Sequence, residues 1–235
     1  MQITFKKPVR GDIYLKIGMM GVSNSGKTYS ALRLARGIVG SKGKIALVDT
    51  ENNSAALYCQ LFNFDSVAMK PPYHPHKFTA AIDAAVEQGY NILILDSISH
   101  EWAMEGGVLD IKAGLDEANP GSNQFTNWKK PGQLHSEFIN KILHAPIHII
   151  SCMRSKSQYV MQENRYGKMA PVKHGLAPIQ RDGLEYEFSL LFNLALNHHA
   201  TVDQKDRTQI FKDVEKPFIV TEETGGLINK WLNKK

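Results

Sequence analysis

Apolar and polar positions along this chain fall into blocks whose period changes from one block to the next. Residues 14–20 (Tyr-Leu-Lys-Ile-Gly-Met-Met) are a short, mostly apolar run ending at Gly21, the pattern of a buried strand. Over Lys27–Val39 the apolar residues Ala31, Leu32, Leu34, Ala35 and Ile38 recur at helical spacing, with Gly40 and Gly43 to close the helix. Residues 44–48 predict a second strand. Residues 78–88 predict a helix whose packing stripe is Ala80, Ala81, Ala84 and Ala85 and whose stop is Gly89. Residues 91–96 (Asn-Ile-Leu-Ile-Leu-Asp) are apolar without alternation, as expected of a strand covered on both faces in a parallel sheet. A helix over 134–143 and a fourth strand over 147–152 follow. Two more strands, 188–196 and 209–212, are expected on either side of a turn through 198–207, and a short helix ends the tail. Strands alternating with helices predict an α/β fold, an open and mostly parallel sheet with helices on both faces. Neither an internal repeat nor a low-complexity linker interrupts the pattern. The expectation is one domain over residues 1–235, with a core of about 14–211 and a tail of 212–235.

Composition narrows this picture only a little. The 235 residues are 43% hydrophobic and 22% charged, in the range of soluble globular chains rather than disordered ones. No apolar run approaches the ~20 residues that span a bilayer, and the first residues lack the apolar stretch of a secretory signal. Cys59 and Cys152 are too few for a disulfide framework or a thiolate zinc site, so a cytoplasmic setting without membrane contact is expected. The net charge of +5 permits nucleic-acid contact without requiring it.

The chemistry is concentrated at Gly21-Val22-Ser23-Asn24-Ser25-Gly26-Lys27-Thr28, with Tyr29 directly after it. Glycines let the backbone curl so that successive N–H groups face one concavity at the start of a helix, where phosphate oxygens bind. Lys27 adds positive charge for the β- and γ-phosphates, and the Thr28 hydroxyl can ligand Mg2+. These residues predict a P-loop that takes ATP. Asp96, at the tip of an apolar strand, is the expected second support for the metal. Hydrolysis also needs a group to orient or deprotonate water. Glu51 stands at the carboxyl edge of the second strand, where open α/β sheets place ligands, and is favoured over its rival Glu101.

This order of parts resembles the RecA-type recombinase core. It is closer still to the small phage-encoded RecA-like ATPases that accompany single-strand annealing and recombination. The likeness implies the RecA-like P-loop NTPase fold and places Val48-Asp49-Thr50-Glu51 as the segment whose Glu activates water. It makes Leu93-Ile94-Leu95-Asp96-Ser97 the magnesium strand. The family's next strand ends in a polar γ-phosphate sensor, often Gln; residues 149–154 have no Gln there, so Arg154 or Ser151 takes that place. Lys205-Asp206-Arg207 resembles a pair that reaches into a neighbouring subunit's site, which implies a homo-oligomer with ATP bound between subunits. Within residues 1–235 no counterpart to the recombinases' N-terminal oligomerisation helix or C-terminal DNA-gathering domain is expected.

Between residues 154 and 181 lie six basic residues, Arg154, Lys156, Arg165, Lys168, Lys173 and Arg181, against one acidic residue, Glu163. Tyr159, Tyr166 and His174 are interleaved with them. Cations neutralise phosphates while aromatic faces stack on bases, the combination found in single-strand binders. The segment falls where RecA-type proteins carry a mobile DNA-binding loop. Residues 119–133, with Phe125, Trp128, Lys129 and Lys130, are a second candidate surface. The resulting expectation is a DNA-stimulated ATPase acting on single-stranded DNA, with a single-strand-binding protein as a further partner. The alternative is a nucleotide-dependent switch or assembly ATPase with a protein partner; a small-molecule kinase is a third reading. His74 and His76 are expected in a solvated loop, His198 and His199 at a strand end or turn, and Cys152 and Met19-Met20 in the core.

Overall fold

The computed structural model describes residues 4–121, 123–163, 169–202 and 206–234. In chain order the elements are β1 (Lys16–Gly21), α1 (Lys27–Val39), β2 (Ile45–Asp49), β3 (Asp65–Ala68), α2 (Pro75–Glu87) and β4 (Ile92–Asp96). There follow α3 (Ser99–Ala103), α4 (Val108–Ala118), α5 (Gln124–Asn127), α6 (Lys129–His144), β5 (His148–Glu163) and β6 (Met169–Pro178). The chain closes with β7 (Leu190–Leu194), β8 (His199–Val202), β9 (Phe218–Ile219) and α7 (Glu222–Leu232).

The sheet runs β3-β2-β4-β5-β1-β7-β8-β9. Strands β3 to β7 in that order pair in parallel, and β8 and β9 are added antiparallel. All residues of β1 and β4 are buried, in keeping with their mostly apolar runs. One face packs Leu15, Ile17 and Met19 with α1 and α7 through Leu32, Leu34, Ile38 and Ile228. The other packs Leu93, Leu95 and Ile149 with α2 and α6 through Phe78, Ile82, Phe138 and Ile142. Each such side chain contributes about 1.5–3 kcal/mol by leaving water, so the central strands are held from both sides. Helices α1 and α7 cross at contact distance because both carry glycine there. A Cβ at Gly37 would lie 2.0 Å from the Glu222 carbonyl oxygen, and one at Gly225 would lie 2.3 Å from that of Leu34.

Several boundaries differ from the sequence expectation for identifiable reasons. Helix α2 begins at Pro75, where the missing N–H costs nothing, and His74 caps it by accepting from His76 N at 3.2 Å. The expected loop at these histidines is therefore a helix start. Residues 209–212 are not a strand. The Asp206 carboxylate accepts from the backbone N–H groups of Thr208 and Phe211, both at 2.8 Å, so these donors are satisfied by a side chain rather than a ladder. The Phe211 ring instead fills the space between Phe192 and Phe218, at centroid distances of 5.6 and 5.8 Å. The antiparallel partner of β7 is β8, inside the segment expected to be a turn. Finally, β5 continues past Cys152 to Glu163 and pairs with β6, so the described part of the basic segment is an antiparallel two-stranded arm rather than a loop.

Candidate phosphate and catalytic site

Strand β1 delivers the chain to Gly21, and the loop to Gly26 turns it back into α1. A Cβ at Gly21 would stand 2.4 Å from Ser25 Oγ and 2.7 Å from the Leu194 carbonyl, so only glycine fits. Asn24 and Gly26 have φ of 63° and 85°, the left-handed conformations that curl the loop. Gly26 thereby takes the N-cap position of α1 without a side-chain cap, leaving the first-turn N–H groups to face a ligand. Lys27 is buried and folds back, donating from Nζ to the carbonyls of Gly21 at 3.1 Å and Val22 at 2.9 Å. Its ammonium is thus held by carbonyls of the loop itself. A separate cleft lies between β3 and α2 and is lined mainly by small apolar side chains.

The neighbouring strand tips converge on this loop. Asp96 ends β4, 3% exposed, and its Oδ2 accepts from the Thr28 hydroxyl at 2.5 Å. Burial raises the Asp96 carboxyl to about 6, against the Thr28 bond and the Lys27 charge, which lower it. Its peptide link to Ser97 is cis. The hydroxyls of Ser25 and Ser97 are buried without a hydrogen-bond partner among the described residues. Thr28 Oγ1 and Asp96 Oδ2 are hard oxygen donors side by side, the set that suits Mg2+. The residues therefore fit the metal that such a motif implies.

Glu51 is presented by Asp49, whose two carboxylate oxygens accept from Glu51 N at 2.6 Å and Ala55 N at 2.7 Å and so shape the turn after β2. The β2 and β4 tips are stitched together by Thr50 N to the Asp96 carbonyl (2.7 Å) and Ser97 N to Thr50 Oγ1 (2.8 Å). Arg154 on β5, in register with Gly21 of β1, holds Glu51 through both carboxylate oxygens, with Nε at 2.7 Å from Oε1 and the second contact from a terminal guanidinium nitrogen to Oε2. On the other side His100 Nε2 stands 3.7 Å from Glu51 Oε1. Burial pushes the Glu51 carboxyl up, but the bond and charge of Arg154, with His100 and Lys27, outweigh it and leave the group below its ordinary value.

The rival carboxylate is spent elsewhere. Glu101 is fully buried, 3.2 and 3.3 Å from His135 Nδ1, and it accepts from Gln180 Nε2 at 3.2 Å. That network ties α3 to α6 and to the exit of the arm. Arg154, grouped by sequence with the basic residues of the arm, faces inward onto Glu51, while Ser151 is wholly buried. Lys156 is exposed, and Lys173 lies on β6. Arg165, Lys168 and Lys205 lie outside the described residues. Arg207 is exposed and donates to the Tyr186 carbonyl. Tyr29 packs its ring 5.5 Å from Tyr58 and 5.4 Å from Phe62 at the outer edge of the loop. His100 was not legible in the sequence. It sits one turn beyond Asp96, and no spacing rule marks it.

The model of a family described as AAA domain matches residues 13–226, nearly the whole chain. The chain belongs to this AAA domain family. The match and the geometry together make it a P-loop ATPase domain of the AAA type. No curated protein matches. Among solved structures, the AAA domain is similar to a KaiC-like protein, PH0186, from Pyrococcus horikoshii OT3, at 13% identity and a TM-score of 0.44, over 80% of this chain and 78% of that one. It is also similar to an ATPase from the type III secretion system of pathogenic bacteria, at 15% identity and a TM-score of 0.46; the match covers 80% of this chain and 56% of that one. Among the described residues of the AAA domain, no helix is long and apolar enough to cross a membrane.

Proposed function

We propose that this AAA domain hydrolyses ATP with Mg2+ and couples the reaction to single-stranded DNA, in annealing or recombination of phage type. The observation that carries the reading is the position of Arg154. It lies between the nucleotide loop and the arm, with its side chain on Glu51 and its carbonyl accepting from Ile179 N at 2.7 Å, where the arm returns. An arm rooted on the site in this way can pass a change at the phosphates to whatever it holds.

In the proposed reaction the loop N–H groups and Lys27 bind the β- and γ-phosphates. Thr28 and Asp96 would hold Mg2+, which when bound neutralises charge on the phosphate oxygens. Glu51 orients a water on the γ-phosphorus and accepts its proton, while the bond from phosphorus to the bridging oxygen of ADP breaks. Lys205 and Arg207 would supply positive charge to the site of a neighbouring copy. Lys156, Arg165, Lys168 and Lys173 would line the DNA path on the arm. Phe125, 85% exposed, and Trp128, stacked on Trp102 at 6.1 Å, would offer faces for bases.

A protein partner is the second reading, favoured by the exposure of Met169 and Leu176 on β6. Phosphate release measured with and without single-stranded DNA separates the two. Stimulation that disappears when Lys168 and Lys173 are neutralised supports the DNA reading. An unstimulated rate, with no DNA binding at low salt, overturns it and leaves the ATPase intact.

A further inference from the structure

We infer that His198, carried by the turn between β7 and β8, is a phosphate-binding residue of the nucleotide site in its own subunit, where its ring nitrogen Nδ1 donates to a phosphate oxygen beside Gly26. The inference rests on the proposed ATPase reading and deepens it.

Three observations carry it. First, the ring lies against the phosphate loop. A Cβ at Gly26 would stand 3.1 Å from His198 Nδ1, 3.7 Å from Cγ and 3.9 Å from Cβ, so the nitrogen is the part of the side chain nearest the loop. Gly26 is the N-cap of α1 and has no side-chain cap, and the free N–H groups of the first turn begin beside it. An imidazole with its proton on Nδ1, or an imidazolium, adds one more donor to a concavity already built from donors.

Second, the turn holds the ring in place. Leu194 of β7 is in register with Gly21 of β1, and its carbonyl would lie 2.7 Å from a Cβ there. Ala195 N donates to the His199 carbonyl at 2.9 Å, His198 N to the Ala195 carbonyl at 3.0 Å, and His199 N to Asn197 Oδ1 at 3.2 Å. The hairpin therefore meets the loop at both of its ends, Gly21 and Gly26.

Third, the turn alone does not call for this residue. His198 has φ of 65°, in the left-handed region that favours glycine or asparagine. Its side chain is exposed, and the ring makes no hydrogen bond among the described residues. The adjacent histidine differs, since His199 Nδ1 is engaged within the turn by the Asn197 carbonyl at 3.0 Å.

Affinities for β,γ-imido-ATP with Mg2+ and for inorganic tripolyphosphate would be measured by calorimetry on wild type, His198→Gly and His198→Asn, with thermal melts to establish that each is folded. Glycine removes the ring and keeps the left-handed turn without steric cost. Asparagine tolerates the same φ and carries Nδ2 on Cγ, as histidine carries Nδ1, so it can set an N–H at the same point.

His198→Gly should weaken both ligands by the same factor, about tenfold, the lower end for a hydrogen bond to a charged group. His198→Asn should bring both back to within about threefold of wild type. A loss for imido-ATP with tripolyphosphate unchanged would put the contact on ribose or base and overturn the inference. A loss that asparagine does not restore would mean that the ring only fills space, and would overturn it as well. Affinities that glycine leaves unchanged would do the same. Should tripolyphosphate bind too weakly to measure, phosphorus NMR of bound imido-ATP takes its place, and resonances identical in wild type and His198→Gly would overturn the inference. If folded wild type binds neither ligand, the ATPase reading falls, and the role of His198 falls with it.

Discussion

Asp96 is a carboxylate at the tip of a strand whose other residues are all apolar, with one hydroxyl as its partner. Burial raises it to about 6 from an ordinary value of 3.8, so the native chain binds the more protons between those values. The sign follows: without nucleotide and Mg2+, the stability contributed by this group is full below the lower value and is lost as pH rises through about 6. Asp96→Asn keeps an acceptor for Thr28 and removes the charge. It should raise stability at pH 7 by about 1–3 kcal/mol, flatten the pH dependence seen in urea titrations, and abolish Mg2+-dependent turnover. Lys27→Ala should lower phosphate release by about 100-fold or more, the scale for losing one phosphate-binding cation or donor. At this scale the sequence was informative where a motif fixes both residue type and spacing, as from Gly21 to Thr28. It was silent where two residues distant in the chain meet. Arg154 reads as one more cation in a basic segment until the fold places it on Glu51, 103 positions away.

Helix α1 has the limits that its apolar spacing indicates, since a glycine loop before it and Gly40 after it leave no choice. Its contact with α7 depends on Gly37 and Gly225, and a side chain at either would meet backbone that has no freedom to yield. Gly37→Val should therefore destabilise the fold by about 1–3 kcal/mol, read as a lower urea midpoint, while nucleotide affinity per folded molecule stays unchanged. Elements built from non-local pairing were harder to see. Strand β3 is an exposed edge of four residues with little apolar signal, and 209–212 has strand-like composition but gives its N–H groups to Asp206. The arm of β5 and β6 was legible as a basic segment but not as a ladder. Its two strands pair antiparallel with each other, a non-local register that residue types alone do not specify.

For the whole molecule, the alternation of strands and helices led directly to the parallel sheet, because a strand covered on both faces has to be apolar throughout. The P-loop and two acidic strand tips then pointed to a candidate site at the carboxyl edge. The order of the last strands was not accessible, since β8 and β9 are short and β9 has only two residues. If the arm holds DNA, neutralising Lys168 and Lys173 should lower the slope of log affinity against log salt by about 1.4, at ~0.7 per single-strand phosphate contact. The proposed hydrolysis turns on Glu51 as the group that prepares water. The most direct measurement is single-turnover phosphate release from saturating Mg2+-ATP by wild type and Glu51→Gln, with nucleotide binding followed in the same samples. The variant should bind ATP at least as well as wild type and release phosphate about 100- to 10,000-fold more slowly. A variant that releases phosphate at the wild-type rate would contradict it.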